Sequence, residues 1–131
     1  MEQAFESVCK RYFIEGLKAA ILTDREGVVI LKCISNEAPA KIADPFISTN
    51  FSIANNQASK LGLKQNNMIV SMYDLYQIIQ LDHNPLIITI ISDATSNTGI
   101  FMHLARQLKD MTEPVVNTMQ SGGHIISTHQ E

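Results

Sequence analysis

The sequence predicts an α+β domain in which a five-stranded antiparallel sheet carries helices on both faces, in the order α-ββ-α-βββ-α. Short links join the three apolar segments between residues 68 and 92. Links of that length cannot hold crossover helices, so these strands form a meander. Residues 86–91 are aliphatic except for Thr89 and show almost no alternation, which requires that both faces of that strand be covered. A helix with clear start and stop signals is predicted over 44–62, and it separates the meander from an earlier hairpin.

The first two elements are predicted to be a short amphipathic helix and a β-hairpin. Apolar residues recur there at intervals of three and four positions and would form one face of a helix; they are Phe5, Val8, Cys9 and Tyr12. Gly16 is expected to end that helix. Apolar runs follow at 17–23 and 28–34. The link between them begins with Asp24 and ends with Gly27, and these residues favour a type I turn followed by a left-handed residue. Such a turn joins the ends of a hairpin, so the two strands are predicted to be antiparallel neighbours.

The helix over 44–62 has signals at both ends. The Asp44 carboxylate can accept hydrogen bonds from free amide groups of the first turn. Pro45 suits the first helical position, because an N–H there would have no helical partner. Gly62 suits the left-handed position after a helix, and Leu63 can then fold back onto the last turn.

The second half of the chain is predicted to contain strands at 68–73, 75–81 and 86–92 and then a helix that begins near Asn97. This helix carries one apolar stripe, formed by Ile100, Phe101, Leu104, Leu108 and Met111. Pro114 is expected to kink or end the helix, and residues 120–131 are expected to be a disordered tail after a single domain over 1–119. Strands 17–23 and 86–92 take the centre of the sheet, which leaves 28–34 and 68–73 at its edges.

Composition and charge disfavour several classes of protein. Ten Lys and Arg stand against thirteen Asp and Glu, and the formal net charge of -3 disfavours nucleic-acid binding. Charged residues make up 18% of the chain, below the roughly 25% typical of soluble domains, so much of the polar surface is neutral. Two cysteines without CxxC spacing indicate neither a zinc site nor a disulfide framework, and they favour a reduced intracellular protein. The sequence contains no secretory signal, lipidation motif or membrane span, so a membrane location would depend on a partner.

No pattern in the sequence predicts a catalytic, cofactor or metal site. Phosphate-binding glycine motifs are absent, and Ser7 and Lys10 match an SxxK pattern without the companion motifs of acyl-transfer enzymes. The four histidines have no ligand spacing and are interpreted as solvated or incidental; they are His83, His103, His124 and His129. Cys9 and Cys33 are interpreted as small core residues whose lysine neighbours point away, so neither thiol is expected to be activated.

The strand at 68–73 and the helix over 44–62 are unusually poor in charge. Between residues 46 and 81 the only charged side chains are Lys60, Lys64 and Asp74. An edge strand without Pro, Lys or another charge is a template for pairing with a second chain. The alternative is that both elements pack within the domain, with neutral side chains in water. We interpret them as a dimer interface, strand beside strand and helix beside helix, formed by Phe46, Thr49, Asn50, Ile53, Gln57, Met68, Ile69, Val70, Ser71 and Met72.

Four segments then point to a known family. They are TDREGV at 23–28, QASKLGL at 57–63, YQIIQ at 76–80 and SNTG at 96–99. In this order and spacing, from about residue 17 to residue 111, they resemble the MAP-kinase scaffold subunits of the Ragulator complex (the late endosomal/lysosomal adaptor, MAPK and MTOR activator), which are roadblock-domain proteins. The sequence departs from the family pattern at its C-terminus, where Pro114 interrupts the last helix and residues 120–131 form an extension.

The resemblance implies a roadblock/longin-like fold and a non-catalytic scaffold or adaptor. It implies pairing with a second roadblock-domain subunit through the middle helix and the third strand, in a larger assembly that a lipidated subunit holds on the late endosome or lysosome. It further implies support for MAP-kinase signalling and docking of the Rag GTPases, through which the TOR kinase complex is activated. No cofactor, nucleic acid or direct membrane insertion is implied.

Two other functions remain open from the residues. The first is direct regulation of a small GTPase by an inserted arginine, for which Arg25 on the hairpin is the best placed of Arg11, Arg25 and Arg106. The second is a small-molecule sensor of the PAS or GAF type. Such a sensor needs a cavity with convergent polar groups, whereas the central strands here are mostly aliphatic.

Overall fold

Five antiparallel strands form a single sheet. The structure is a computed structural model that describes residues 1–36 and 68–120. The strands are β1 (Leu17–Asp24), β2 (Val29–Ile34), β3 (Met68–Met72), β4 (Tyr76–His83) and β5 (Leu86–Asp93). Their spatial order is β2-β1-β5-β4-β3, so β1 and β5 are internal and β2 and β3 are edges, as the sequence predicts. Every predicted strand is confirmed, with bounds that differ by at most two residues.

The central strand β5 is buried along nearly its whole length. All of its residues from Leu86 to Ser92 are buried, and only Asp93 is partly exposed. It pairs on one side with β1, where Ile88 lies opposite Leu22, and on the other with β4, where Ile90 lies opposite Ile79. The prediction that both faces of this strand are covered is therefore confirmed.

The β1–β2 hairpin has the predicted turn chemistry. One carboxylate oxygen of Asp24 accepts hydrogen bonds from the amides of Glu26 and Val28, both at 2.9 Å. Gly27 has a φ of 94°, the left-handed conformation that a side chain rarely adopts. The turn thus depends on the two residues whose positions suggested it.

Three α-helices accompany the sheet in the described part of the chain: α1 (Glu2–Lys10), α2 (Thr98–Met111) and α3 (Glu113–Gln120). Helix α1 is shorter than expected, because a separate 3₁₀ turn at Phe13–Glu15 precedes Gly16. Helix α2 begins as predicted, with the Asn97 side chain accepting a hydrogen bond from the Ile100 amide. It ends before Pro114, as predicted. The helix α3 follows directly and was not predicted; it can form because proline is tolerated in a first helical turn.

The main core lies between α1, α2 and one face of the sheet. Helix α1 packs against β2, and α2 packs against β4 and β5. The side chains at the centre of this core are fully buried and include Phe5, Leu22, Ile79, Ile90, Phe101 and Leu104. On the opposite face Ala19 and Ile91 form a second buried cluster. The helix predicted over 44–62 lies outside the described residues, and so do residues 121–131 of the tail predicted over 120–131.

A buried glutamine ties α2 to the sheet. The Gln77 side-chain amide donates to the carbonyls of Asp93 and Ser96 at 3.1 and 2.9 Å. Its carbonyl oxygen accepts a 2.6 Å hydrogen bond from the Thr98 hydroxyl. Because Gln77 is fully buried, these bonds offset the cost of removing its amide from water and fix the start of α2 beside β4.

Gly16 provides a test of this packing. It has a φ of 110°, and a Cβ placed on it would lie 2.0 Å from the Ser96 hydroxyl oxygen. Gly16→Ala should lower the free energy of unfolding by about 2 kcal/mol, because the backbone becomes strained and Ser96 must move. Urea denaturation measures this change. Gly99→Ala is the matched control, since Gly99 lies in α2 with a negative φ, and an equal loss in both variants would contradict the explanation.

Candidate partner interface

Strand β3 has one open edge. It hydrogen-bonds to β4, and no strand lies beyond it within the described residues. Val70 is 38% exposed and Met72 is 59% exposed, whereas Met68, Ile69 and Ser71 are half-buried. The five residues include no charge and no proline, so nothing in the strand opposes pairing with another chain.

The register shows how the side chains of β3 are distributed. Met68 lies opposite Leu81 and Val70 lies opposite Ile79, which places both on the face of the main core. Met68 packs against that core, but exposure rises along the same face toward Met72. One end of the strand is therefore anchored by its own domain, and the other presents apolar surface to water.

The opposite edge of the sheet differs in charge. Strand β2 presents Val29 at 39% exposure and Ile34 at 36%, but it also carries the exposed Lys32 in its interior. A lysine on an edge strand disfavours pairing, because its ammonium group would have to be buried or displaced. Of the two edges, β3 is the unprotected one.

The structure describes half of the predicted interface. Met68, Ile69, Val70, Ser71 and Met72 lie together on the edge strand. The other predicted members, Phe46, Thr49, Asn50, Ile53 and Gln57, lie outside the described residues. The interface as a whole remains a prediction.

The two cysteines are buried free thiols. Burial raises the pKa of Cys9 to about 12, with smaller contributions from Cys33 and Glu6. Burial also raises the pKa of Cys33, and Glu6 acts in the same direction while Lys10 opposes it. The expectation that neither thiol is activated is confirmed, although Lys10 does not point fully away from Cys33.

His83 corrects the sequence interpretation. It is 4% exposed rather than solvated, and its ring Nε2 lies 3.0 Å from the Thr112 hydroxyl oxygen. That hydroxyl donates its proton to the Leu108 carbonyl at 2.6 Å, so the ring nitrogen is the donor in the contact. His83 thus bonds the end of β4 to the end of α2. Residue spacing does not reveal this contact, because His83 and Thr112 are 29 residues apart in the chain.

Other polar groups also have structural roles. Arg25 forms an ion pair with Asp82 across the sheet end, so its guanidinium is held against its own domain. In the described residues no three His, Cys, Asp or Glu side chains cluster as a metal site. An open cavity of about 780 Å³ beside α1 has two carboxylates and two lysines, from Glu6, Asp93, Lys10 and Lys18, in its lining. Its mixed and balanced charges are not those of an enclosed apolar ligand site.

The description "Mitogen-activated protein kinase kinase 1 interacting" belongs to a family model that matches residues 1–122. The chain belongs to this family. Curated relatives include the Ragulator complex protein LAMTOR3 of Pagrus major, 39% identical over 76% of this chain and 81% of the relative. LAMTOR3 of Mus musculus is 33% identical over 82% of this chain and 86% of the relative.

Solved structures show the same fold for this MAPKK1-interacting family member. A Roadblock/LC7 domain from Streptomyces avermitilis has a TM-score of 0.66 at 13% identity and covers 79% of this chain and 88% of its own. Myxococcus xanthus MglB has a TM-score of 0.67 at 13% identity, over 90% and 96% of the two chains. The predicted roadblock fold is therefore confirmed.

Membership of this scaffold family makes the chain a non-catalytic adaptor, as the sequence predicts. The groups that could have suggested chemistry agree with this, because the thiols are protonated and His83 and Arg25 are bonded internally. None of the helices in the described part of the chain has the length and apolar character needed to span a bilayer.

The environment of His83 predicts a pH dependence of stability. Burial lowers its pKa below the ordinary 6.5, and Lys109 adds to this, while Glu113, a hydrogen bond with the Thr112 backbone and Asp82 oppose it. The folded state therefore holds a neutral ring, and the unfolded chain takes up a proton first as the pH falls. This contribution to stability is complete above about pH 6.5 and is lost below it, by at most about 1.4 kcal/mol per pH unit.

His83→Gln keeps an amide donor near Thr112 but does not titrate, so its stability should fall less between pH 7 and pH 5 than that of the parent. Chemical denaturation at each pH measures the difference. His103→Gln, at an exposed position of α2, is the matched control. Parallel pH profiles for the parent and His83→Gln would contradict the assignment.

Proposed function

We propose that this chain is a scaffold subunit that pairs with a second roadblock-domain protein through β3 and residues 46–57. The two sheets would join edge to edge at β3. The pair would work within a Ragulator-type complex that a lipidated subunit holds at the late endosome or lysosome. There it would support MAP-kinase signalling and Rag GTPase-dependent activation of the TOR kinase complex.

The uncharged open edge of β3 is the observation that carries this proposal. Its backbone donors and acceptors need partners that water or another strand can supply, and its exposed Val70 and Met72 favour a strand. The comparison with β2 strengthens the argument, because that edge has similar apolar exposure but carries Lys32. The difference between the two edges lies in charge, which is the property that controls edge pairing.

The relatives supply the biological setting. Their names place them in the Ragulator complex, and the family description names mitogen-activated protein kinase kinase 1 as an interaction partner. A second roadblock subunit, MAP-kinase pathway kinases and Rag GTPases are the partners we expect for this chain. A late endosomal or lysosomal location then follows from the assembly and requires no anchor in the chain itself.

Direct regulation of a GTPase by an arginine inserted from this chain is less well supported. Arg25 was the best candidate in the sequence, but its guanidinium is paired with Asp82. Releasing it toward a nucleotide would break a charge-assisted hydrogen bond and leave Asp82 without that partner. We therefore favour the role of a docking platform.

Val70→Lys should weaken the complex with the second subunit by about 3 kcal/mol, roughly a hundredfold in Kd, because an ammonium group would be buried without a partner. Co-expression followed by calorimetry or size-exclusion chromatography measures the change. The matched control is Val29→Lys, since Val29 has 39% exposure on the other edge strand against 38% for Val70. This control should bind like the parent.

Combining Val70→Lys with Ile53→Glu tests both halves of the predicted interface at once. If both residues contact the partner, the double variant should form no complex, while circular dichroism of the isolated chain shows retained secondary structure. An intact complex with the double variant, or an equal loss with Val29→Lys, would show that the partner binds elsewhere.

A further inference from the structure

Helix α3 has a small share in the packing of the domain. Among its described side chains Val116 is buried, Val115 is half-buried and the others are exposed. Both valines contact the main core, and α2 is the described element that α3 contacts most. A helix of eight residues is marginal in water, where about 12–15 are needed even for good helix formers. Helix α3 therefore stays folded only while it is docked at the end of α2.

A single residue, Thr112, joins α2 to α3. Its amide donates to the Leu108 carbonyl at 3.0 Å, and its hydroxyl donates to the same carbonyl at 2.6 Å. Its own carbonyl accepts hydrogen bonds from the amides of Val115 and Val116 at 3.0 and 3.3 Å. Thr112 is fully buried. The end of α2 and the first turn of α3 are thus both bonded through this residue.

His83 holds this junction from the side of the sheet. Its ring Nε2 lies 3.0 Å from the Thr112 hydroxyl oxygen, and the ring also hydrogen-bonds with the Thr112 backbone. Only 4% of His83 is exposed. Because Thr112 carries the first backbone bonds of α3, a change in the state of the His83 ring reaches α3 through one residue.

Three charged side chains act on the His83 ring, and they come from the elements that meet there. Asp82 lies on β4, Lys109 on α2 and Glu113 on α3. The two carboxylates favour a protonated ring and Lys109 disfavours it, but burial has the largest effect and lowers the pKa of His83 below 6.5. Arg25 pairs with Asp82 and adds a second cation to the surroundings. The closed junction therefore holds a neutral ring, and a protonated ring is stabilised by gaining contact with water.

We propose that protonation of His83 opens the junction between α2 and α3 and releases α3 from the main core. Opening lets water hydrate the charged ring, and displacing α3 costs little core packing because Val116 is the only buried side chain among those described in it. In the open state the ring regains its ordinary pKa of 6.5, so the open state takes up a proton first as the pH falls. The open population then rises below about pH 6.5, by at most about tenfold per pH unit. Pairing through β3 is not involved.

The test is hydrogen exchange of the full-length, isotope-labelled chain at pH 7 and pH 5.5, followed by NMR. The reporters are the amides of Val115 and Val116, which bond to the Thr112 carbonyl, and the reference is the amide of Ile90 in β5. Protection factors of the two reporters, corrected for intrinsic exchange, should fall by about three- to tenfold between the two pH values. Low concentrations of urea should change the protection of Ile90 more than that of the reporters, because a local opening exposes little surface.

Substitutions assign the effect to His83. His83→Gln keeps an amide donor near Thr112 but does not titrate, so its reporter protection should be equal at both pH values. Lys109→Gln removes a charge that disfavours the protonated ring, so the fall in protection should begin at a higher pH. His103→Gln is the matched control, because His103 is exposed on α2 and its substitution should leave the pH profile of the parent unchanged.

Three results would overturn the proposal. They are equal reporter protection at pH 7 and pH 5.5 in the parent, a pH dependence that His83→Gln retains, and reporter exchange that follows Ile90 at every urea concentration. The last result would mean that α3 opens only when the whole domain unfolds. Circular dichroism shows whether His83→Gln folds. If it does not, Lys109→Gln decides, and an unshifted pH profile in that variant contradicts the proposal.

Discussion

The arrangement of the sheet depends on β5, a strand that must be covered on both faces. Its apolar run, interrupted only by Thr89, is best satisfied inside the sheet, between two other strands and two layers of side chains. That requirement places β1 and β4 beside it and leaves β2 and β3 as edges. The exposed edge that we propose as a partner interface is thus a consequence of burying the centre.

Polar groups that could support chemistry are used to hold this arrangement together. His83 bonds β4 to the end of α2, Gln77 bonds β4 to its start, and Arg25 joins the β1–β2 hairpin to Asp82. The two cysteines are protonated members of the core. These groups hold the described elements together, and we assign the proposed function to an exposed edge instead.

The exposed apolar surfaces of the described residues differ from one another in charge more than in apolar exposure. Strands β2 and β3 expose valines to a similar degree, yet only β3 lacks a charged residue. At the sheet end the exposed Ile14 and Leu75 have Glu15 and Asp74 as neighbours in the chain, and Ile14 also shares a cavity lining with Lys10 and Lys18. Apolar exposure alone would not distinguish these surfaces, because scattered apolar side chains are common on soluble proteins.

The strands and the turn at Asp24 and Gly27 could be predicted from local periodicity and from conformations available to few residues, and the strand order from the short links and the apolar 86–92 segment. The sequence also predicted the start of α2 near Asn97 and the uncharged character of β3. The burial of His83, the pairing of Arg25 with Asp82 and the gathering of Ile14, Tyr73 and Leu75 at one end were decided by the tertiary structure. Each depends on side chains far apart in the chain, and periodicity can place an element in the sheet without revealing which distant side chain a residue will contact.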